Sequence, residues 1–288
     1  MGLSRREARL LIARGKVWVG ERVVRILSRE VAPGSRVTVE TESEGDAGAS
    51  NPVASTRLEP RLLFMDQWIV VVDKPAGLLS ETDRVGSPSL ETEVPRLLAA
   101  LGERKTDVRL VHRLDAGTSG VLILARTPAA TAGLGKCFAA TGAEKTYLAI
   151  CVGKLDRPCT IDAPIGRRQG VKHAVDPHGK PSLTFVEPVK NTEEATLVRA
   201  RPKTGRTHQI RVHLSHIGYP LFGDRLYGGP TYTRDAPVVA IPRPMLHAAR
   251  LELPHPKSGE RLTFSTPPPA DFEALARLLG VWRDEPGP

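Results

Sequence analysis

The stretch Val111 to Arg126, VHRLDAGTSGVLILAR, sets two charged residues, Arg113 and Asp115, at the lip of an apolar run. A carboxylate there can serve as a nucleophile or a base only while it is ionised. Burial raises the pKa of such a group, and a neighbouring guanidinium lowers it. The loop DAGTSG is rich in glycine and serine, which lets a backbone come close to a ligand. The run VLILA behind it would hold that loop rigid. An ordinary turn aspartate bonded to its own backbone accounts for the same residues.

A second segment bears on the choice: RPKTGRTHQIRVHLSHIGYPLFGD, Arg201 to Asp224. IRVHL alternates like a strand, but a helix fits the whole better. Thr207 can cap it, Ile210, Leu214 and Ile217 share a face, Gly218 can end it, and Pro220 blocks continuation. Arg211 then projects from a rigid element. Lys203, Arg206 and the capping loop form a positive helix N-terminus suited to phosphate; the plainer reading is a basic, solvated loop. His208, His213 and His216 cluster here, yet the H-E-x-x-H spacing and a nearby cysteine are missing, which argues against a zinc hydrolase. They read as neutral histidines bonded to backbone or nucleic acid. One aspartate among arginines also fits poorly with the paired carboxylates of a glycoside hydrolase.

The elements that must carry these residues follow from periodicity. From Arg57 onward WIVVVDKPAG reads as a strand ending in a turn, and SLETEVPRLLAAL as a helix interrupted near Pro95. VLILAR, KTYLAICVG, SLTFVEPVK and ATLVRARP read as strands. The mixture implies a mixed-sheet α+β or α/β domain. Lys74 is a cleft candidate or a solvated turn lysine, and Tyr147 on its own reads as a half-buried strand tyrosine.

Residues 1 to 40 look like a separate small unit. Ser4 and Glu7 make a capping box, Ala8, Leu11 and Ile12 an apolar face, and Gly15 a stop. VWVG and ERVV follow as two strands around Gly20-Glu21, and a last strand comes after the turn at Pro33-Gly34. This unit holds nine basic residues against four acidic ones, Arg5, Arg6 and Arg9 among them. Charge concentrated in so small a unit favours nucleic-acid contact over a solvated helix face. Residues 41 to 56, TESEGDAGASNPVAST, have a linker composition.

Across 288 residues the formal charge is +9, from 41 lysines and arginines against 32 acids. That balance favours anionic partners and is silent on fold. Three cysteines at no metal or redox spacing read as reduced packing thiols in a cytoplasmic protein. Neither a signal peptide nor an apolar run of about 18 residues is expected here, so no membrane partner is expected.

Together DKPAGLLS, VHRLDAGTSGVLILAR, EKTYLAI, DPHGKPSLTFVEPV and TGRTHQIRVHLSHIGYPLFGD closely resemble the RluA-type pseudouridine synthases, over most of residues 57 to 253. SRREARLLIARGKVWVGERVV and PGSRVTV resemble the αL RNA-binding motif over roughly residues 3 to 40. The helix that usually precedes the Ser-Arg of that motif has no counterpart, so either the module is truncated or the true start of the chain lies further upstream.

The resemblance implies an α+β fold with a mixed, mainly antiparallel sheet and flanking helices. It implies a small RNA-binding module at 1–40, a linker at 41–56 and a catalytic domain at 57–288. The implied activity is isomerisation of uridine to pseudouridine in RNA, with no metal or redox cofactor. By the same resemblance Asp115 is the essential catalytic residue, as a nucleophile toward the ribose or in removing a ribose proton. Arg211 is its ion-pair partner, with Arg206 in reserve, and Tyr147 is the active-site tyrosine, able to stack on uracil. Arg113 would fill the space an extruded base leaves or hold a phosphate; the alternative is a surface ion pair. Arg5, Arg6, Arg9, Lys203, Arg206 and Lys74 are the further RNA-binding candidates. Large-subunit ribosomal RNA is the favoured substrate, transfer RNA the alternative, and a monomer the expected state. A non-catalytic ribosomal RNA-binding protein on the same fold would lack Asp115, Tyr147 or Arg211, and all three positions are filled.

Overall fold

The apolar run behind Asp115 becomes an inner strand of a large sheet. The structure, a computed structural model, describes residues 17–19, 22–23, 37–39, 58–140, 142–168, 170, 172–234 and 238–282. The chain divides into two compact units, Met1–Ser55 and Thr56–Pro288.

In the first unit β1 (Val17–Val19) pairs antiparallel with β2 (Arg22–Val23) and with β3 (Val37–Val39). These are the three short strands expected there. The helix expected from Ser4, the two turns, the linker 41–56 and the side chains of Arg5, Arg6 and Arg9 lie outside the described residues.

The second unit opens with β4 (Arg61–Met65), β5 (Ile69–Lys74), helix α1 (Leu90–Ala100), β6 (Arg109–Leu110) and β7 (Ser119–Ala125). Helix α2 (Pro128–Ala139) and β8 (Glu144–Val152) follow, then β9 (Cys159–Asp162), β10 (Ile165–Arg167) and β11 (His173–Val175). The unit closes with β12 (Leu183–Asn191), β13 (Ala195–Pro202), α3 (Gln209–His216), β14 (Leu246–Pro254), β15 (Arg261–Ser265) and α4 (Ala270–Leu278). The main sheet has ten strands in the order β4-β5-β7-β14-β8-β13-β12-β9, with β6 on β7 and β15 on β14. Its pairings are antiparallel except β7 with β14, which run parallel. Strands β10 and β11 form a separate antiparallel ribbon.

Every residue of β7 is buried, because the strand is covered on both faces. Val121, Ile123 and Ala125 pack with Ala130 and Leu134 of α2. Leu122 and Leu124 pack with Leu90, Val94 and Leu98 of α1. A strand covered on both faces reads as a continuous apolar run instead of an alternating one. Each large side chain buried this way contributes about 1.5–3 kcal/mol.

Two expectations need correction. Helix α1 is not interrupted: Pro95 lies inside it. A proline there removes one hydrogen bond, to the carbonyl of Glu91, and Glu91 is exposed to water. The Ser89 N–H donating to Thr92 Oγ1 at 3.1 Å and the buried Leu90, Val94 and Leu98 keep the helix continuous. Helix α3 is not capped by Thr207. Its N-cap is His208, in the left-handed conformation at φ 56°. The loop before it is tied instead by Gln209, whose Oε1 accepts from the Arg206 N–H and the Thr204 hydroxyl. Ile210, Leu214 and Ile217 do share the face that packs on the sheet.

Register places the site. Lys74 of β5 pairs with Gly120 of β7, Gly120 with Ala248 of β14, Ala248 with Tyr147 of β8, and Tyr147 with Ala200 of β13. Directly paired residues project from the same face of a sheet. Tyr147 therefore stands in a row of small residues, which leaves room above the middle of the sheet.

Candidate active site

The chain entering β7 is clamped residue by residue. Leu114 exchanges two hydrogen bonds with Ser80 Oγ, at 2.8 and 3.1 Å. Ala116 O accepts from Gly77 N at 2.7 Å and from Lys74 Nζ at 3.2 Å. Gly117 O accepts from Arg243 Nη1 at 3.1 Å. Gly120 has φ 116°, and a Cβ there would lie 2.2 Å from Ala248 O. The close approach that this glycine permits thus serves the chain's own backbone, where a ligand was expected.

Asp115 emerges from this loop with its side chain 22% exposed. Its Oδ2 accepts from Arg211 Nη1 at 2.9 Å. Arg211 comes from the first turn of α3, 96 residues later in the chain. Its other edge is fully engaged: Nε and Nη2 donate to the two oxygens of buried Asp224, at 2.6 and 2.8 Å. Burial works against the Arg211 charge, and the two carboxylates more than reverse that, raising its pKa above the ordinary arginine value. Asp224 follows Gly223, whose φ of 77° carries the backbone to within contact of Arg243 O.

Tyr147 lines the same cleft of about 400 Å³, together with Arg113, Lys145, Lys203, Arg206, His208 and Arg211. Burial, and then the charge of Asp115, push its hydroxyl well above the ordinary tyrosine pKa, so Tyr147 works as a neutral phenol. Among the described residues its hydroxyl takes no hydrogen-bond partner. Burial lowers the pKa of Lys145. Its ammonium lies 5.9 Å from the Phe138 ring and has no carboxylate partner among the described residues. Thr118 Oγ1, buried without a partner, also lines the cleft.

The structure thus brings Asp115, Arg211 and Tyr147 together, and Arg113, Lys203 and Arg206 onto the rim. Arg113 is exposed and pairs with Glu81 at 3.2 Å. Arg206 is not the partner of Asp115; its Nε donates to Pro181 O. Lys74 is corrected outright as an RNA contact. It is fully buried beneath the loop and donates to the carbonyls of Leu78, Pro75 and Ala116, at 2.7, 3.0 and 3.2 Å. His213 is structural, with its two ring nitrogens taken by Thr184 Oγ1 and Ala163 O. Asp224 and Tyr227 went unread in the sequence. Their one signal was the pair Gly223-Asp224 at a turn, which many surface loops share.

An aspartate–arginine pair and a neutral phenol facing one cleft can hold a nucleoside and attack or deprotonate its sugar. A family model described as RNA pseudouridylate synthase matches residues 68–216, and one described as S4 domain matches residues 1–37. The chain is similar to the ribosomal large subunit pseudouridine synthase D of Pseudomonas aeruginosa, at 37% identity over 264 residues, 86% of this chain and 79% of that protein. It is similar to the synthase D of Vibrio parahaemolyticus at 32% identity, covering 95% of this chain and 86% of that protein. Among solved structures, human RNA pseudouridylate synthase domain containing 4 superposes with a TM-score of 0.64 at 25% identity, over 78% of this chain and 95% of that one.

Proposed function

The chain belongs to the RNA pseudouridylate synthase family, and from that premise we propose that it isomerises uridine in structured large-subunit ribosomal RNA, with Asp115 as the reacting carboxylate. The bond from ribose C1′ to uracil N1 breaks, the ring turns, and a bond from C1′ to C5 forms. N1 gains a proton and C5 loses one, so the step balances without an oxidant. Asp115 either attacks C1′ or removes the ribose proton at C2′. Both routes use the ion pair with Arg211, and that 2.9 Å contact inside a nucleoside-sized cleft is the observation that carries the reading.

Tyr147 stacks on the uracil, a contact worth roughly 1–3 kcal/mol per base, and its neutral hydroxyl can pass a proton at C5. The target uridine must leave its stack to arrive there. Arg113, Lys145, Lys203 and Arg206 surround the cleft with positive charge for the flanking phosphates. Arg5, Arg6 and Arg9 lie in the segment matched by the S4 model and are the RNA contacts proposed for the N-terminal module. The names of the relatives support ribosomal over transfer RNA as the substrate. The reading carries with it a cytoplasmic monomer that needs no metal or redox cofactor.

The test is release of tritium from RNA labelled at uracil C5, with the product mapped in total RNA. Wild type is expected to release it from large-subunit ribosomal RNA. Asp115→Asn is expected to bind that RNA and release none; equal release would refute the assignment, and product confined to transfer RNA would refute the substrate. Replacing Arg5, Arg6 and Arg9 with glutamine should lower the slope of log affinity against log salt by about two to three. An unchanged slope would remove the module from the interface.

A further inference from the structure

His208 is the one non-glycine residue in the left-handed backbone region among the described residues, at φ 56°. A residue with a Cβ pays roughly 1–2 kcal/mol for that conformation, and such strain persists where the surroundings over-determine it. Here it puts the imidazole between Tyr227 and Asp115. Nδ1 lies 2.8 Å from Tyr227 Oη, and Nε2 lies 3.7 Å from Asp115 Oδ1.

The hydrogen positions follow from counting. Tyr227 Oη accepts from the backbone N–H of His173 at 3.1 Å. The single hydrogen of the hydroxyl has one acceptor among the described residues, His208 Nδ1. That single acceptor favours Nδ1 as the bare nitrogen, which in the neutral ring puts the hydrogen on Nε2. Burial keeps the ring neutral, opposing the pull of Asp115; Arg211 and His173 act with burial and Asp224 against it. The ring of Tyr227 also lies 5.0 Å from the Arg211 guanidinium, so one tyrosine touches both groups aimed at Asp115.

We propose that His208 is a positioning residue for Asp115: fixed as the Nε2–H tautomer by the Tyr227 hydroxyl, it donates to Oδ1, the carboxylate oxygen that Arg211 leaves free. The proposal rests on Asp115 being the reacting carboxylate. With Arg211 on Oδ2 and His208 on Oδ1, the plane of the carboxylate is set from both sides. The 3.7 Å separation closes to a hydrogen bond in the substrate complex, as catalytic contacts commonly do.

The experiment uses the full chain and two variants that spare the fold. Tyr227→Phe keeps the ring on Arg211 and removes the hydroxyl. His208→Asn keeps a residue tolerant of the left-handed region and removes the imidazole. Nitrogen-15 shifts of His208 report the tautomer, single-turnover tritium release reports the chemical step, and RNA affinity is measured beside them. Wild type should show Nε2–H, and Tyr227→Phe should shift the ring toward Nδ1–H. The chemical step should slow about tenfold in Tyr227→Phe and on the order of a hundredfold in His208→Asn, as when one aimed donor is lost, with affinity unchanged. A wild-type Nδ1–H tautomer, full rate in His208→Asn, or affinity falling by the same factor as rate would overturn the proposal. Asp115→Asn, run in parallel, separates the two failures. If it is dead while His208→Asn is fully active, this proposal alone falls; if it is fully active, the reading of Asp115 falls first.

Discussion

Arg211 and Lys74 are two buried cations aimed at one loop, from helix α3 on one side and from the end of β5 on the other. Arg211 is satisfied by carboxylates: two bonds to Asp224 and one to Asp115. Lys74 is satisfied by three carbonyls and, among the described residues, by no carboxylate bond. The outcome for charge differs accordingly. The carboxylates reverse the effect of burial on Arg211. Burial draws Lys74 down to about 7, with Asp115 only partly opposing it. The α3 side therefore holds the acid's side chain, and the β5 side holds the main chain that presents the acid. The difference teaches that the side chain and the main chain of this carboxylate are held by different chemistry.

The largest effect should come from the α3 side. Arg211→Ala leaves Asp224 buried without a partner, and breaking a buried pair in that way costs roughly 3–5 kcal/mol. Denaturant unfolding should show that loss, and tritium release should cease. Arg211→Lys keeps the charge but not the planar fork that serves two carboxylates at once, so it should recover part of the stability and little of the activity. Activity near wild type in the lysine variant would mean that the shared fork is unimportant.

Next in size is Lys74→Met. It leaves buried carbonyls without their donor, at about 1–3 kcal/mol for each one orphaned. Leu78 O and Pro75 O are the ones orphaned, because Ala116 O keeps its bond from Gly77 N. RNA affinity should hold, since Lys74 is sealed from the surface; a drop in affinity with normal stability would return it to the RNA-binding set. The pH dependence sharpens the contrast. With its pKa near 7 in the fold and the ordinary lysine value, about 10.4, in the unfolded chain, Lys74 binds more protons when unfolded between those limits. Its contribution makes stability rise with pH across that window and fall back as pH drops toward 7. Unfolding free energy measured from pH 7 to 9.5 should therefore climb more steeply in wild type than in Lys74→Met.

The smallest stability effect belongs to Arg113, the exposed cation of the same loop. Its pair with Glu81 is open to water on both sides, and such pairs contribute about 0–1 kcal/mol. Arg113→Ala should barely move the unfolding midpoint. It should reduce the salt slope of RNA binding by about one, the signature of a single phosphate contact. A large stability loss there would blur the line between the buried and exposed cations.

Much of this was legible in the sequence. The apolar VLILA run read as a strand anchoring the loop, and the spacing of Ile210, Leu214 and Ile217 favoured a helix that would present Arg211. The triad of Asp115, Arg211 and Tyr147 came from the resemblance and is brought to one cleft by the fold. Lys74 was not legible, because β5 is apolar along most of its length and parity does not say whether its last residue turns inward. Asp224 was not legible either, since a turn aspartate looks the same in sequence whether or not an arginine meets it. Pro95 was misread because the local penalty for proline says nothing about the buried face that outweighs it. Thr207 was the better cap by propensity, yet Gln209 already ties the loop and the strained His208 begins the helix.

By itself the chain determined the most apolar and most regular segments, such as the strands at VLILA and KTYLAICVG and the helix that carries Arg211, and which residues carry charge at their ends. Those properties depend on neighbours a few positions away, where periodicity and capping act. Only the tertiary structure decided which charges meet. Gly120 against Ala248, Arg211 against Asp115 and His208 against Tyr227 are long-range pairings, set by the register of one sheet and the seat of one helix. A one-residue slip in the sheet would turn the same side chains to the opposite face, and one in the helix would swing Arg211 by about 100°.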